Sequence, residues 1–538
     1  MGIASQPGPG PTPTSDPGPP ALSKSVGPPR HGKAGTKRTA WKSYSAGELS
    51  DLTFAWSSTP FTIDETLRVQ LRRLRARSRQ QIENNPYARR FVQSCRSNIV
   101  GPKGLTLSCQ ARDPNGTIDT AVNRLIEESF SEYLQTKAID VGGRMTGIEL
   151  QNLLVSTVAG DGEGLLRRWV GPKYGGKWGI SFQSIDPEML DVDHFEELRN
   201  GNIVRMGVEM DALRRPVAYW FRDTKDRPDG SLPLGGGPAG SRIRIPASEI
   251  THGYLMERTN QSRGIPWLST VLPRLNMLNG SDEASLVAVR MGASQMGFIT
   301  TPDGQTDGDA GESPEAESIE EVSPGQIKKL AEGETFNSFN PDYPRGEYPE
   351  FQKAMLRGVA AGSLVSYPVL SQDWIGPTWT STRTALLEER DLWKVLQEWF
   401  AYAFMQRIYL EWLEVQLILG NLRLGSGALY PDRQAKYERI SWRGRRWEWV
   451  DPQNEMAAAK EAIAQRLKSR SGLIRDMTQE DPEEVWTEIA DEEAFLTKLG
   501  LSLPAATAST PAPADPASTE DNPPASVAAG GNANASQD

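Results

Sequence analysis

The sequence has few of the residue types that bind metals or form disulfides. Its 538 residues include two cysteines, Cys95 and Cys109, and three histidines, His31, His194 and His252. No CxxC pair and no HExxH motif occurs, so no zinc site is recognisable. A chain of this length with two cysteines does not depend on a disulfide framework, which indicates assembly in a reducing cytoplasm. We therefore expect neither a metal nor a cofactor.

Long apolar runs and a positive net charge are also lacking. The longest apolar stretch, around 399–419, is interrupted by charged and polar residues, so we expect no membrane span. The first 15 residues have no basic region followed by an apolar one, which argues against a secretory signal. The formal net charge of −10 argues against a protein that coats nucleic acid through bulk positive charge.

Three segments have compositions that cannot form a packed core. Residues 1–40 are rich in Pro, Gly, Ser and Lys, and residues 503–538 in Ala, Pro, Ser and Asn. We expect both to be disordered, because they cannot bury enough apolar surface to offset the entropy of ordering. Residues 301–325 carry eight acidic side chains and no basic one, which predicts a solvated loop or insertion.

The remaining sequence predicts an α+β fold. Apolar residues at helical spacing predict helices over 62–98, 118–137, 147–160, 267–299, 350–366 and 382–419. Alternating residues bounded by Gly, Asn and Asp predict strands at 165–170, 178–185, 202–211, 217–222 and 242–246. In the polar segment 451–500 we expect helices at 455–467 and 482–498.

No pattern of residues predicts a catalytic site. The sequence GPKYGGKW at 171–178 resembles a phosphate-binding loop, but Trp178 stands where the metal-binding hydroxyl would be, and a strand rather than a helix follows. A hairpin turn at Gly175-Gly176 is the simpler interpretation. The acidic cluster at 186–197 has enough carboxylates for a two-metal nuclease site. Carboxylates that lie between a strand and a loop, however, more often form a solvated surface.

Basic and aromatic residues leave two interpretations open. Arg72 and Arg73 belong to a series of arginines that occupy most sides of the predicted helix over 62–98, and Arg290 lies in the helix that begins near residue 267. Each of the three is a candidate contact either with DNA or with another subunit, and an ordinary solvated helix is the other interpretation of the arginine series at 68–79. Tryptophans at helical spacing between 393 and 412 favour core or interface packing over stacking on bases.

Four segments in a fixed order resemble the portal proteins of lambda-like tailed phages. They are NNPYARRFVQSCRSNIVGPKGLTLS (84–108), GDGEGLLRRW with FQSIDPEMLD (160–191), IPASEITHGYLMERTNQSRGIPWLSTVLPRLNML (245–278) and EFQKAMLRGVAAGSLVSYPVLSQDWIGPTWTSTRTALLEERDLW (350–393). The resemblance covers roughly residues 60–470. The acidic insertion at 301–325 and the sequence IGPTWTST at 375–382 depart from the family pattern.

The resemblance implies a domain organisation. After the disordered arm at 1–40 come a mixed α/β wing (41–266), a first stem helix (267–295), a clip (296–349), a second stem helix (350–367), a channel loop (368–381), a long kinked wing helix with its return (382–450) and a helical crown (451–502), followed by the disordered tail. Gln372, Asp373, Trp374, Gly376 and Trp379 are the expected channel-loop residues. The alternative is a buried connection between helices whose tryptophans belong to the core.

The resemblance also implies a function. Such proteins form a dodecameric ring at one vertex of the capsid, through which double-stranded DNA passes during packaging and ejection. We expect contacts with the terminase large subunit, with the major capsid or scaffold protein, and with a head-completion or tail adaptor, but none with a membrane. The alternatives are another structural protein of the head or adaptor, or a terminase-like packaging enzyme.

Overall fold

Helices and small antiparallel sheets alternate along the chain. The computed structural model describes residues 59–222, 242–293, 297–300, 335–338, 346–375, 378–478 and 480–501. The described residues from Phe61 onward belong to one compact unit. The mixture of helices and sheets confirms the predicted α+β class. The predictions for 1–40, 301–325 and 503–538 lie outside the described residues.

The N-terminal part of this unit is helical. Its helices are α1 (Ile63–Asn84), α2 (Pro86–Cys95), α3 (Thr120–Gln135) and α4 (Gly147–Asp161), and strand β1 (Thr106–Cys109) lies between α2 and α3. A capping box between Thr62 and Glu65 begins α1, and the Asn85 side chain caps α2 at a proline. The helices predicted over 62–98, 118–137 and 147–160 are confirmed.

Two antiparallel sheets follow. Their strands are β2 (Glu163–Val170), β3 (Ile180–Ile185), β4 (Glu196–Glu197), β5 (Ile203–Arg205), β6 (Val208–Met210), β7 (Pro216–Arg222), β8 (Arg242–Pro246) and β9 (Ile250–Tyr254). The first sheet has the order β3-β2-β9, and the second runs β4-β5-β6-β7-β8. Gly175 and Gly176 both have positive φ in the turn between β2 and β3, which confirms the hairpin at GPKYGGKW.

One strand prediction was wrong. Residues 202–211 form the hairpin β5–β6 rather than one strand, with a turn at Met206 and Gly207. Both turn residues have positive φ, and the Met206 side chain is buried beside Leu67 of α1. An alternating sequence of apolar residues continues through the turn, so periodicity alone does not mark it.

The second half of the chain is again mostly helical. Its elements are α5 (Leu272–Ala293), β10 (Gly297–Thr300), β11 (Thr335–Ser338), α6 (Tyr348–Ser363), α7 (Tyr367–Ser371), α8 (Trp379–Phe400), α9 (Gln406–Leu419), β12 (Arg423–Leu424), β13 (Gly427–Ala428), α10 (Gln434–Tyr437), β14 (Ile440–Arg443), α11 (Pro452–Ala464), α12 (Arg470–Met477) and α13 (Pro482–Lys498). The predicted helix over 382–419 begins at Trp379. A short π-helix at Ala401–Met405 separates α8 from α9. Helix α12 was not predicted.

The main core joins elements that are far apart in sequence. Phe130 of α3 lies within 5.5 Å of the ring centres of Tyr409 and Trp412 in α9. Strand β1 pairs with β14, which brings Cys109 opposite Ile440. Helix α9 and strand β14 therefore close the core that the N-terminal helices begin.

Candidate functional site

A fully buried carboxylate, Glu163, connects the two sheets to the start of α5. It begins β2 and accepts hydrogen bonds from the Arg75 guanidinium at 2.7 Å and the Arg263 guanidinium at 2.6 Å. The Gly264 N–H donates to it at 2.8 Å, and the His252 ring nitrogen lies 3.1 Å away. Burial alone would raise the pKa of Glu163, yet the guanidiniums of Arg263 and Arg75 hold it well below its ordinary value.

The same contacts bring two of the sequence segments together. Arg263 also donates a hydrogen bond to the carbonyl of Met206 at 2.7 Å. This bond holds the segment RGIPW (263–267) against the β5–β6 turn. A Cβ on Gly162 would lie 2.3 Å from the carbonyl carbon of Ile265, and one on Gly264 would lie 2.1 Å from the carbonyl oxygen of Gly162. Because neither position has room for a side chain, GDGEG and RGIPW pack backbone against backbone.

Helices α5 and α6 pack together just after this junction. Leu275 and Leu278 of α5 and Leu356 and Val359 of α6 are buried. Asp282 of α5 accepts hydrogen bonds from the Tyr348 hydroxyl and, at 3.2 Å, from the Gln352 amide. The strands β10 and β11, which follow α5 and precede α6, pair with each other over four residues each.

The predicted channel loop is shorter than 368–381. Helix α7 ends at Ser371 and α8 begins at Trp379, so the loop consists of residues 372–378. Trp379 is therefore the first residue of a helix capped by the Thr378 hydroxyl, not a loop residue. Local α-helix capping at Thr378 explains the earlier start, which the glycine and proline before it obscured. Gly376 lies outside the described residues.

The described loop residues differ in how firmly they are held. Asp373 is half-buried and accepts a hydrogen bond from the Tyr367 hydroxyl at 2.8 Å and another from the Ile375 N–H at 3.1 Å. The Tyr367 hydrogen bond and the Ile375 N–H lower the pKa of Asp373. Gln372 is exposed and has a positive φ of 59°. Trp374, Ile375 and Trp379 are exposed, with Ile375 at 87 %. The apolar tip of the loop projects from an anchored base.

The three candidate arginines lie in different surroundings. Arg72 pairs with Asp193 at 3.2 Å, whereas Arg73 is exposed and donates to the Val69 carbonyl of its own helix. Arg290 is exposed in the last turn of α5. Their contact with DNA or with another subunit stays a prediction. The sequence did not distinguish them from Arg75, which is fully buried beside Glu163.

Most acidic side chains of the cluster at 186–197 form ion pairs. Asp186 pairs with Arg79 at 2.6 Å, and Asp191 pairs with Arg222 and Arg242 at 2.9 and 2.6 Å. Asp191 is buried, so the predicted solvated surface was wrong at that residue. Among the residues that the structure describes, no group of His, Cys, Asp and Glu could hold a metal ion. No helix in those ranges is both long and apolar enough to cross a bilayer.

Comparisons with known proteins decide the family. The model of the family described as phage portal protein, lambda family, matches residues 50–397. A relative described as "Probable portal protein", from Halomonas phage phiHAP-1, is 31% identical over 441 residues, which cover 80% of this chain and 82% of the relative. The chain belongs to the lambda family of phage portal proteins.

Further similarities extend over most of the chain. The portal protein of Escherichia phage N15 is 22% identical over 429 residues, which cover 73% of this chain and 77% of that protein. Among solved structures, a chain from the virion of a native gene transfer agent particle is 14% identical with a TM-score of 0.36. A chain from the neck of the native particle, computed with C12 symmetry, is 13% identical with a TM-score of 0.39. In both cases 77% of this chain and 94% of the other are covered.

Membership of the portal family confirms the resemblance seen in the sequence. The chain is a structural subunit of the phage portal, the head–tail connector of the virion, with a role in DNA packaging that follows from the family. The portal family is a structural family, which fits the lack of a recognisable catalytic pattern in the sequence.

Proposed function

We propose that copies of this chain close into a dodecameric ring around double-stranded DNA and form the conduit for packaging and ejection. In this arrangement α5 and α6 are the stem helices, β10 and β11 form the base of the clip, residues 372–378 face the bore, and α11 to α13 form the crown. Membership of the portal family supports the proposed function. The observation that supports ring formation is the exposed apolar surface of α5.

Helix α5 buries one narrow stripe and leaves other apolar side chains uncovered. Leu275, Leu278 and Ser285 are buried at spacings of three and seven residues, on the side of α5 that packs against α1 and α6. On other faces Met277 is 68% exposed, and Leu286, Val287 and Val289 are also exposed. Exposed apolar patches of this kind mark interaction surfaces. A ring of parallel copies would bury these residues between neighbouring stem helices.

The apolar tip of the loop suits a bore through which DNA slides. Each phosphate that a protein neutralises adds affinity through the release of counterions, so a strongly basic bore would hold DNA back. Trp374 and Ile375 carry no charge, and the nearby Asp373 is anchored to Tyr367. We place this tip toward the DNA axis, where it contacts the duplex without forming ion pairs.

The remaining partners follow from the same arrangement. We propose that the clip region 296–349 docks the terminase large subunit during packaging and a head-completion or tail adaptor afterwards. The wing (41–266 and 382–450) then faces the major capsid or scaffold protein at the portal vertex. Assembly takes place in the cytoplasm of the bacterial host.

A double substitution on α5 tests the ring. Leu286→Glu with Val289→Glu places two carboxylates on the uncovered face, where burial between copies would cost several kcal/mol. The wild-type protein should form a ring of about a dozen copies in native mass spectrometry and negative-stain electron microscopy. The variant should shift to monomers, with its unfolding temperature little changed because both residues are exposed in the single chain.

The matched control is Leu213→Glu, an exposed leucine in the turn between β6 and β7. This variant should assemble as the wild type does. A wild-type protein that stays monomeric at all concentrations and salt conditions would overturn the proposed function. Rings formed by the α5 variant would show instead that this face lies outside the subunit interface.

A further inference from the structure

Helix α13 is an amphipathic helix whose apolar face has no cover in the described residues. Only its beginning is anchored: Pro482 is buried, and Asp481 pairs with Arg443 of β14. From Trp486 to Lys498 every side chain except Leu496 is exposed. Ile489, Leu496 and Leu499 lie on one side at helical spacing, with Trp486 and Phe495 on its flanks.

The same helix is strongly acidic. Residues 480–493 contain eight acidic side chains and no lysine or arginine. Glu488, Asp491, Glu492 and Glu493 form no ion pair with any residue that the structure describes. We call the exposed surface from Trp486 to Leu499 the acidic apolar face.

The two preceding helices present the opposite charge. Between Met456 and Met477 there are five basic and two acidic side chains. The basic ones are all exposed, and apart from the Lys468–Asp476 pair they have no acidic partner within the described ranges. Leu467, 80% exposed, and Met456 provide apolar surface among them. We call this surface the basic patch; its charged members are Lys460, Arg466, Lys468, Arg470 and Arg475.

We propose that the acidic apolar face of each subunit docks on the basic patch of the neighbouring copy. Two different, mutually complementary surfaces on one chain make a head-to-tail contact, and such contacts close into rings when the rotation between copies allows it. Charge complementarity of this kind fixes the register and orientation of the contact. This inference rests on the proposed ring and adds the residues that join the subunits at the crown.

The end of the same chain is the other candidate for covering the acidic apolar face, and its charge argues against it. Residues 502–538 contain four acidic side chains and no lysine or arginine. They would add negative charge to a face that is already acidic. The basic patch carries the opposite charge and has apolar surface of its own, so the neighbouring copy is the better match.

Cross-linking between engineered cysteines tests the contact directly. Both native cysteines, Cys95 and Cys109, are buried, and burial raises the pKa of each thiol, so neither reacts readily. Rings of a Phe495→Cys/Leu467→Cys variant treated with a short bis-maleimide should give a ladder of covalent oligomers on a denaturing gel. The single variants Phe495→Cys and Leu467→Cys are the controls and should remain monomeric, because each contact then has one thiol.

Charge exchange provides an independent measurement. Glu488→Lys with Glu492→Lys, and separately Lys460→Glu with Arg470→Glu, should each lower the fraction of ring in native mass spectrometry, on the order of tenfold at low salt. The variant with all four substitutions should recover most of the ring, because the attraction is restored with its signs reversed. Non-interacting surfaces would show no such recovery.

The outcomes distinguish this inference from the proposed function. Rings that give no ladder, or cross-links confined to single chains, overturn the crown contact and leave the ring intact. If the full-length cysteine variant gives rings without a ladder and the same variant ending at residue 501 gives a ladder, the tail at 502–538 occupies the face instead of the neighbouring copy. Absence of any ring in the wild-type protein would overturn the proposed function itself.

Discussion

Two regions of the molecule differ in how far their side chains are buried. One is the core around Glu163 and Trp412, and the other consists of helices α5 and α13. In the core, Trp412 and Arg263 are fully buried, and Arg263 pairs with Glu163 of the same chain. By contrast, Leu286 of α5 is 61% exposed and Phe495 of α13 is 60% exposed. The first region is complete within one chain, whereas the second has apolar surface left over.

This difference shows how folding and assembly are divided along the chain. Most hydrophobic and ionic partners of the sheets and the aromatic core lie in the same chain, so we expect these parts to be stable without contact with another copy. Helices α5 and α13 are formed in the single chain, but the described residues leave part of their apolar surface exposed. Another surface is needed to bury it. Substitutions in the core should therefore change the stability of the subunit, and substitutions on the two helices should change assembly.

The largest effect on stability is expected at Glu163. Glu163→Gln keeps the shape but leaves the buried Arg263 without its paired carboxylate, and it leaves Arg75 with only the longer contact to Glu188 at 3.4 Å; the loss should cost about 3–5 kcal/mol of unfolding free energy. Urea unfolding at pH 7, followed by circular dichroism, measures the loss. Since the pKa of Glu163 in the folded chain lies below its ordinary value of 4.5, the stabilisation is complete at neutral pH and is lost as the pH falls below that value.

Glu128→Gln is the matched control for this prediction. Glu128 is exposed on α3 and pairs with Arg124 one turn away, so its removal should leave the unfolding curve nearly unchanged. Equal unfolding curves for the two variants would show that the buried network does not stabilise the core.

A smaller, pH-dependent effect is expected at Glu127, where α3 meets β1. Burial raises the pKa of Glu127 to about 7, although the Cys109 N–H donates a hydrogen bond to it. Between pH 4.5 and about 7 the folded chain keeps a proton that the unfolded chain has lost, so the free energy of unfolding falls as the pH rises through this window. Glu127→Gln removes the ionisation and keeps an acceptor for Cys109.

The variant should therefore be more stable than the wild type by about 1–3 kcal/mol at pH 8 and equal to it below pH 5. Urea unfolding at several pH values tests this. Glu132→Gln, an exposed position on the same helix, serves as the control and should follow the wild-type profile. A stability difference that stays constant from pH 5 to pH 8 would show that ionisation of Glu127 does not oppose folding.

The smallest effect on stability is expected at the tip of the loop. Ile375→Lys should change the unfolding free energy by no more than about 0.5 kcal/mol, as exposed substitutions usually do. If the loop faces the bore, however, the ring gains a collar of positive charge, and DNA should be retained or packaged more slowly in a packaging assay. Leu213→Lys, exposed between β6 and β7, adds the same charge away from the proposed bore and should package normally.

Ile375 is a cleaner position for this test than Asp373. Asp373→Lys would also remove the contacts with Tyr367 and the Ile375 N–H, so its effect on loop conformation could not be separated from its charge. Normal packaging by Ile375→Lys rings would place the loop away from the DNA, as a connection between α7 and α8.

Several elements could be predicted from the sequence because local interactions define them. Helix α1 begins with a Thr-x-x-Glu capping box, and the turn between β2 and β3 contains two adjacent glycines. The strand β8 was predicted with its observed bounds, Arg242–Pro246, from its alternation. The four segments and their order likewise indicate the portal family, because they depend on sequence alone.

The partners of charged side chains could not be predicted from local sequence. Arg73 and Arg75 are two residues apart on α1, yet Arg73 is exposed and Arg75 is fully buried. The difference arises because Glu163, which is 88 residues away, lies opposite Arg75. Strand β1 was missed for the same reason, since its partner β14 follows more than 330 residues later.

The sequence by itself determined the α+β class, most helices, the absence of a recognisable catalytic motif and the family, because these depend on residue spacing and segment order. Tertiary structure alone decided which charges are buried, where the loop before α8 begins and ends, and which apolar faces remain uncovered. Burial depends on neighbours that are distant in sequence, and an amphipathic pattern predicts that a helix will bury one face without saying against what. For α5 and α13, the described residues of the chain supply only part of that partner surface.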